Sequence, residues 1–357
     1  MRAAVLANPT LFPACRDFRK GRPYIHGIHS SPNDPADFGM VRGERSLTDF
    51  AARKAFAAEA SPRHITGRHL YCGPVTLHFG HFLADCVHRL WACRREQDHV
   101  QSIIVLPQHP NVRLSPVFRQ FLRLFGVDVA KLQYISTLAT VEELVVPDIG
   151  HVVGRPHQRW YQEELASAID LSEFRRPELP KRIVVSRRNY RLKGRIAGTD
   201  AITQRLCEDG YTEVFPEQHP IAEQIAYLVS ADLIVFEEGS AVHLLDPLPR
   251  ISAKVAMIRR RPNFRHMDDT ITGKADGHVY NNVRLLPGNA PPHNRMSRLL
   301  DPAGLFSWLA KEGFTASPSF DRAKFYAEEA HDIALYTAND GTAMGDPVND
   351  GSVREAN

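Results

Sequence analysis

Four polar groupings in this chain have residue types and spacings that could do chemistry. His81, Asp85 and His88 stand at i, i+4 and i+7, which places them on one face of a helix. An imidazole beside a carboxylate can act as a general base, because the carboxylate fixes the ring tautomer and raises its basicity. A helix-start histidine making an ordinary hydrogen bond is the competing explanation. His78 extends the group, and His78, His81 and Asp85 could ligate a metal. They lack HExxH spacing and a cysteine partner, so the expectation is no metal.

The second grouping is basic. Arg175, Arg176, Lys181, Arg182, Arg187, Arg188, Arg191, Lys193 and Arg195 are opposed only by Glu178. Guanidinium groups grip phosphate bidentately. Arg187 and Arg188 follow the strand-like RIVVS, at the end where open α/β sheets bind ligands. A solvated charged loop is the alternative.

The third is Glu237-Glu238-Gly239-Ser240, which ends the apolar run LIVF. A helix opening there would seat an anion on its first N–H groups, with Glu238 accepting from a ribose or sugar hydroxyl and His243 close by. The fourth is Glu217 and Gln218, just ahead of a helix carrying Gln224, where capping or packing competes evenly with ligand binding. There is no GxGxxG, no GxxxxGK[ST] and no GxSxG in the sequence.

These residues need elements to hold them. The stretch 47–60 predicts a short helix after a Gly/Pro/Ser-rich arm, and HLYCGPVTL an extended segment. Apolar positions over 79–96 have helical spacing, with Cys86 and Cys93 as small buried residues on one face. SIIVLPQ then reads as a strand, SPVFRQFLRLFG as a helix stopped by Gly126, 131–135 and 141–147 as strands, and 157–170 as a helix. After the Pro-bounded RRPELPK a second alternation begins: KRIVVSRR, a helix capped by Thr199 or Asp200 and stopped by Gly210, YTEVF, a helix with Pro220 in its first turn, DLIVFE and KVAMIRR. Two further helices close the chain before a polar tail.

The fold class expected is α/β, with two Rossmann-like lobes facing a cleft. The division is 1–60 arm and short helix, 61–178 a first α/β lobe, 179–316 a second α/β lobe, 317–336 a C-terminal helix, and 337–357 a flexible tail.

The 357 residues suffice for two cores, and 43% apolar with 24% charged is an ordinary globular mixture. Of 44 basic residues nine are Lys and 35 Arg, against 41 acidic ones, for a net charge of +3. That near-neutral balance excludes a fibrous, wholly disordered or nucleic-acid-coating protein. No run of about 18 apolar residues exists and the N-terminus is a poor signal peptide. Cys15, Cys72, Cys86, Cys93 and Cys207 form no CxxC, so a reducing, cytoplasmic setting is expected.

FGHFLADCVHRLW, VSRRNYRLKGR and PEQHPIAEQIAYLVSADLIVFEEGSAVH, in that order, resemble glycosyltransferase family 61, also known as the capsular polysaccharide biosynthesis group. The family's HxxxE appears here as His81 and Asp85, its Arg pair as Arg187-Arg188, its helix Gln as Gln224, and its turn as Gly239-Ser240-Ala241 with His243. Many members have His-Gly where this chain has Glu238-Gly239.

The resemblance implies a GT-B architecture, with 61–178 the acceptor-side lobe, 179–316 the nucleotide-sugar-binding lobe and the 317–336 helix packing back toward the first lobe, and inverting, metal-independent transfer from a nucleotide-diphosphate sugar, with uridine diphosphate the expected carrier. The acceptor would be a hydroxyl of a glycan or small molecule, and no other cofactor is implied. It implies Asp85 or His81 as base, and Arg187, Arg188, Arg191, Glu217, Gln224, Glu238, Gly239, Ser240 and His243 around the donor. No nucleic acid is expected, at most peripheral contact with the inner face of a membrane, and a homodimer is open. A non-catalytic sugar- or nucleotide-binding protein and a His/Asp hydrolase are the alternatives.

Overall fold

The computed structural model describes residues 3–13, 25, 27–29, 41–42, 45–46, 50–59, 61–108, 111–190 and 194–339. Cys15, Arg191, Lys193, most of the N-terminal arm and the tail from 340 lie outside them. The chain forms two compact units, residues 1–170 with 246–249 and residues 171–245 with 250–357. The division falls ahead of RRPELPK rather than after it.

In the first unit, strands β1 (Ala3–Ala7), β2 (Thr10–Phe12) and β3 (Gly27–His29) precede a two-residue pair, β4 (Val41–Arg42) and β5 (Arg45–Ser46). The helix expected over 47–60 is α1 (Phe50–Glu59). The sheet's centre is β6 (Arg63–Val75), flanked by β7 (Ser102–Pro107) and β9 (Ala139–Pro147), with β8 (Leu132–Tyr134) beyond β7. β6, β7, β8 and β9 pair in parallel, and β1 and β2 add antiparallel to β9. Parallel strands buried on both faces need continuous apolar runs, which is why SIIVLP reads as a strand and why Ile104, Leu106, Leu144 and Val146 share a core with Tyr71. Two register shifts in β6 coincide with Gly67 (φ +94°) and Gly73 (φ +107°), where a side chain would strain the backbone. Helix α4 (Pro116–Leu124) starts with Ser115 accepting from the Phe118 N–H at 3.5 Å, and Gly126 (φ +66°) follows its end.

The expected continuous helix over 79–96 is a broken one. It runs as α2 (Phe79–His81), a π-helical turn (Phe82–Cys86), a 3₁₀ turn (Leu90–Ala92) and α3 (Cys93–Glu96). Packing accounts for the departure. Phe82 stacks on Phe118 at 4.2 Å, Arg89 donates to the Pro147 carbonyl, and Trp91 donates to the Asp148 carbonyl at 3.0 Å. One regular helix cannot send all three side chains to those partners.

The second unit carries five parallel strands: β10 (Arg182–Val185), β11 (Thr212–Val214), β12 (Leu233–Glu237), β13 (Lys254–Ile258) and β14 (Asp276–Tyr280), in the order β11-β10-β12-β13-β14. Helices α6 (Thr199–Glu208), α7 (Ile221–Ser230) and α8 (Asp268–Lys274) connect them. This is a doubly wound order whose direction switches between β10 and β12. Sequence reading overlooked β14, α8 and the hairpin of β15 (Val283–Leu285) with β16 (Ser297–Leu299), all short and weakly periodic.

Helices α9 (Pro302–Lys311) and α10 (Arg322–Ala338) complete the second unit's core, with Leu305, Phe306, Leu309 and Phe325 packed beside Val184 and Val235. The helix expected to pack toward the first lobe is anchored within the second unit. Asp332 accepts from the Gly198 N–H at 2.9 Å and pairs with buried Arg195 at 3.2 Å, while Glu329 pairs with Arg298 at 2.9 Å. Asp332 therefore caps α6 from outside. The expected Thr199 or Asp200 cap is absent: Gly198 (φ +78°) is the N-cap, Thr199 bonds Glu237, and Asp200 pairs with Arg195 at 2.8 Å. Asp332→Ala leaves the Gly198 N–H and part of the Arg195 charge unmet. It is expected to cost about 3 kcal/mol, read as a lower urea midpoint at unchanged m-value.

Candidate functional site

In the first unit the chain leaves the carboxyl end of the central strand β6 and turns into α2. Thr76 Oγ1 accepts from the His78 N–H at 3.2 Å, and His78 Nδ1 accepts from the His81 N–H at 3.3 Å, which starts the helix. The π turn then brings Asp85 under His81, with His81 Nδ1 3.1 Å from Asp85 Oδ2. The Asp85 side chain is 3% exposed and that of His81 43%. A buried carboxylate thus holds an imidazole that reaches solvent. His88 does not share their face. It is buried, with Nε2 3.0 Å from the Ala84 carbonyl and Nδ1 3.1 Å from the Tyr161 hydroxyl. The His78, His81, Asp85 set does not gather as ligands. Among the described residues, the converging ligand atoms are those of His151, His157 and Asp246.

In the second unit, the carboxyl ends of β10 and β12 meet at the switch point. Arg187 lies so close to Gly239 that a Cβ there would stand 2.5 Å from Arg187 Nη1, so only glycine lets the guanidinium lie on the turn. The same guanidinium lies 4.9 Å from the centre of the Tyr190 ring. Arg188 points elsewhere and pairs with Glu213 on β11 at 3.3 Å. Glu217 Oε1 accepts from Asn189 Nδ2 at 2.8 Å, tying it to the Arg187 loop. Gln224 Nε2 donates to the carbonyls of Pro216 (2.7 Å) and His219 (2.8 Å), a bracing role. Its Oε1 is buried and has no hydrogen-bond partner among the described residues, on a small apolar pocket lined by Val214, Pro216, Tyr227, Phe236 and Ala241.

Glu238 does not fit the hydroxyl-binding role expected of it. It is fully buried; Oε2 accepts from the Arg260 and Arg261 N–H groups at 3.1 Å each, and Oε1 pairs with Arg261 Nε. Gly239-Ser240 opens a 3₁₀ helix of six residues, Ser240–Leu245, holding buried His243. A helix that short offers little dipole, so positive charge at this turn comes from arginines. Burial first, then Arg187 and Arg261, push Arg260 down to about 9.

Sequence reading missed Arg260 and Arg261, which look like the end of a strand, and gave Glu237 no role of its own. That carboxylate accepts from the Ile196 N–H and Thr199 Oγ1, both at 3.0 Å, and so pins the far side of the basic loop. The only signal for it was two adjacent glutamates at a strand end, where alternation sends them to opposite faces.

Two units, one on a mixed sheet and one on a parallel sheet, each with polar side chains beyond strand carboxyl ends, make an α/β protein consistent with a GT-B-like two-domain fold. Residues 79–249 match the glycosyltransferase 61 family, and over that span the chain is homologous to it. The span carries His81, Asp85, Arg187 and the Gly239 turn. No curated protein matches the chain.

Proposed function

We propose that the protein is an inverting glycosyltransferase, moving a sugar from a nucleotide-diphosphate sugar to a hydroxyl of a glycan or other acceptor with no divalent ion at the leaving diphosphate. The observation that carries this reading is the buried Asp85 carboxylate on Nδ1 of half-exposed His81. With Nδ1–H donating to Asp85, the Nε2 lone pair takes the acceptor's hydroxyl proton. The oxygen then forms its bond to the anomeric carbon from the face opposite the departing diphosphate, and the breaking bond's electron pair leaves with the phosphate. Guanidinium groups at Arg187 and beside it supply the charge a metal would otherwise bring. Buried Cys72, Cys86 and Cys93 carry thiols, which suits a reducing, cytoplasmic setting.

Calorimetry with a panel of nucleoside diphosphates and nucleotide sugars, with and without EDTA, tests the donor assignment. Micromolar binding of one base, uridine by expectation, that survives EDTA is the result expected. Binding lost to EDTA would remove the metal-free leaving-group step.

A further inference from the structure

His151, His157 and Asp246 are buried together in the first unit, and nothing in the transfer chemistry uses them. His151 and His157 sit in the loop between β9 and helix α5 (Arg159–Ala168). Gly154 (φ +81°) and the turn closed by the Arg155 N–H on the Val152 carbonyl (3.0 Å) reverse this loop, so that both rings come back to one place. Asp246 arrives from the four-residue segment Asp246–Pro249, which packs with this unit. The three side chains are 1%, 2% and 0% exposed.

The spacing is informative. His157 Nε2 is 3.5 Å and His151 Nε2 3.9 Å from the same oxygen, Asp246 Oδ1. Two ligand atoms each about 2.1 Å from a tetrahedral ion stand about 3.4 Å apart. All three ligand atoms fall within 4.8 Å of one another. The surrounding wall is built. The His88 ring stands edge-on to His151 at 5.1 Å, its Nδ1 lies 3.1 Å from the Tyr161 hydroxyl, and the Gly150 N–H donates to the His88 carbonyl at 2.8 Å.

We propose that His151, His157 and Asp246 form a site for one divalent transition-metal ion of the zinc class, which ties the 148–158 loop to the 246–249 segment. Two imidazoles and one carboxylate are a borderline donor set that suits zinc and excludes calcium or magnesium as the preferred ion. A water completes four-coordination. The two rings lie stacked at 3.8 Å and 9° to one another. An ion must lie in the plane of each ring, so loading turns the imidazoles apart about χ2 while their Nε2 atoms stay near Asp246.

The test uses the full chain. Metal content is measured on protein purified without a histidine tag, before and after long dialysis against dipicolinate, and the stripped protein is reloaded with Co²⁺. One equivalent of metal per chain, an intense visible d–d absorption of four-coordinate cobalt, and a Tm raised by about 5–10 °C on reloading are expected. His157→Ala and Asp246→Asn should abolish the cobalt spectrum, while His81→Gln keeps it, which separates this site from the His78–His81 group. Since either variant could unfold, the wild-type Tm comparison stands independently of them. Three results overturn the proposal: no bound metal and no Tm shift with added Zn²⁺ or Co²⁺; the weak spectrum of six-coordinate cobalt; or metal binding that persists in folded His157→Ala and Asp246→Asn. The last would mark adventitious binding.

Discussion

His81→Gln is expected to lower the transfer rate by about 10²–10⁴-fold while leaving nucleotide affinity in place. The glutamine fills the space of the ring without a basic nitrogen, so the acceptor hydroxyl keeps its proton as it approaches the anomeric carbon. Asp85→Asn is the informative partner. An amide at that position can still touch His81 Nδ1, but it no longer favours the tautomer with the proton on Nδ1 or the imidazolium formed after proton transfer. A loss of about 10²-fold or more is expected, with His81→Gln and the double variant falling to a common floor, because the pair acts as one unit. Single-turnover rates with saturating donor read this directly. If His81→Gln retains full turnover while Asp85→Asn loses it, the carboxylate is the base and the imidazole its neighbour. That outcome is disfavoured by burial, since Asp85 is 3% exposed and His81 reaches solvent.

Arg187→Ala is expected to weaken nucleoside diphosphate binding by about 10–100-fold, the value of one or two charge-assisted hydrogen bonds. Uncharged nucleoside binding should change little. Gly239→Ala is expected to reproduce much of this loss without touching the arginine, because its Cβ would stand 2.5 Å from Arg187 Nη1 and must push the guanidinium off the turn. In the double variant the two losses should not add, since both remove the same contact. Arg188→Ala is the contrast. Its guanidinium pairs with Glu213 at 3.3 Å, so a loss several-fold smaller than that of Arg187→Ala is expected. Equal losses at 187 and 188 would mean that the anion rests on a charged loop rather than on the β10–β12 switch point.

Much of this protein is readable from its chain, and the reason lies in local physics. Buried parallel strands demand apolar runs, so SIIVLP, RIVV, LIVF and KVAMI announce themselves. Ser115-Pro116 and Gly126 mark the ends of α4 by capping and by a positive φ. The His81–Asp85 pair is four residues apart, and even a π turn leaves it in contact at 3.1 Å. Arg187 and Gly239 were each recognisable beyond a strand end, where doubly wound sheets gather their ligands.

Tertiary structure decided the rest, because those outcomes depend on partners far along the chain. The 79–96 helix breaks since Phe82, Arg89 and Trp91 answer to α4 and to the end of β9, which local periodicity does not encode. Glu238 looks like a ligand-binding carboxylate until Arg260 and Arg261, more than twenty residues on, occupy it. Asp332 bonds the N-cap N–H of a helix from 134 positions along the chain. His151, His157 and Asp246 share no recognisable spacing at all. Sequence fixes what a segment prefers by itself, through periodicity, caps and turns. Which buried charge meets which is settled only when the chain closes, because a desolvated group takes whatever partner the packed core brings within reach.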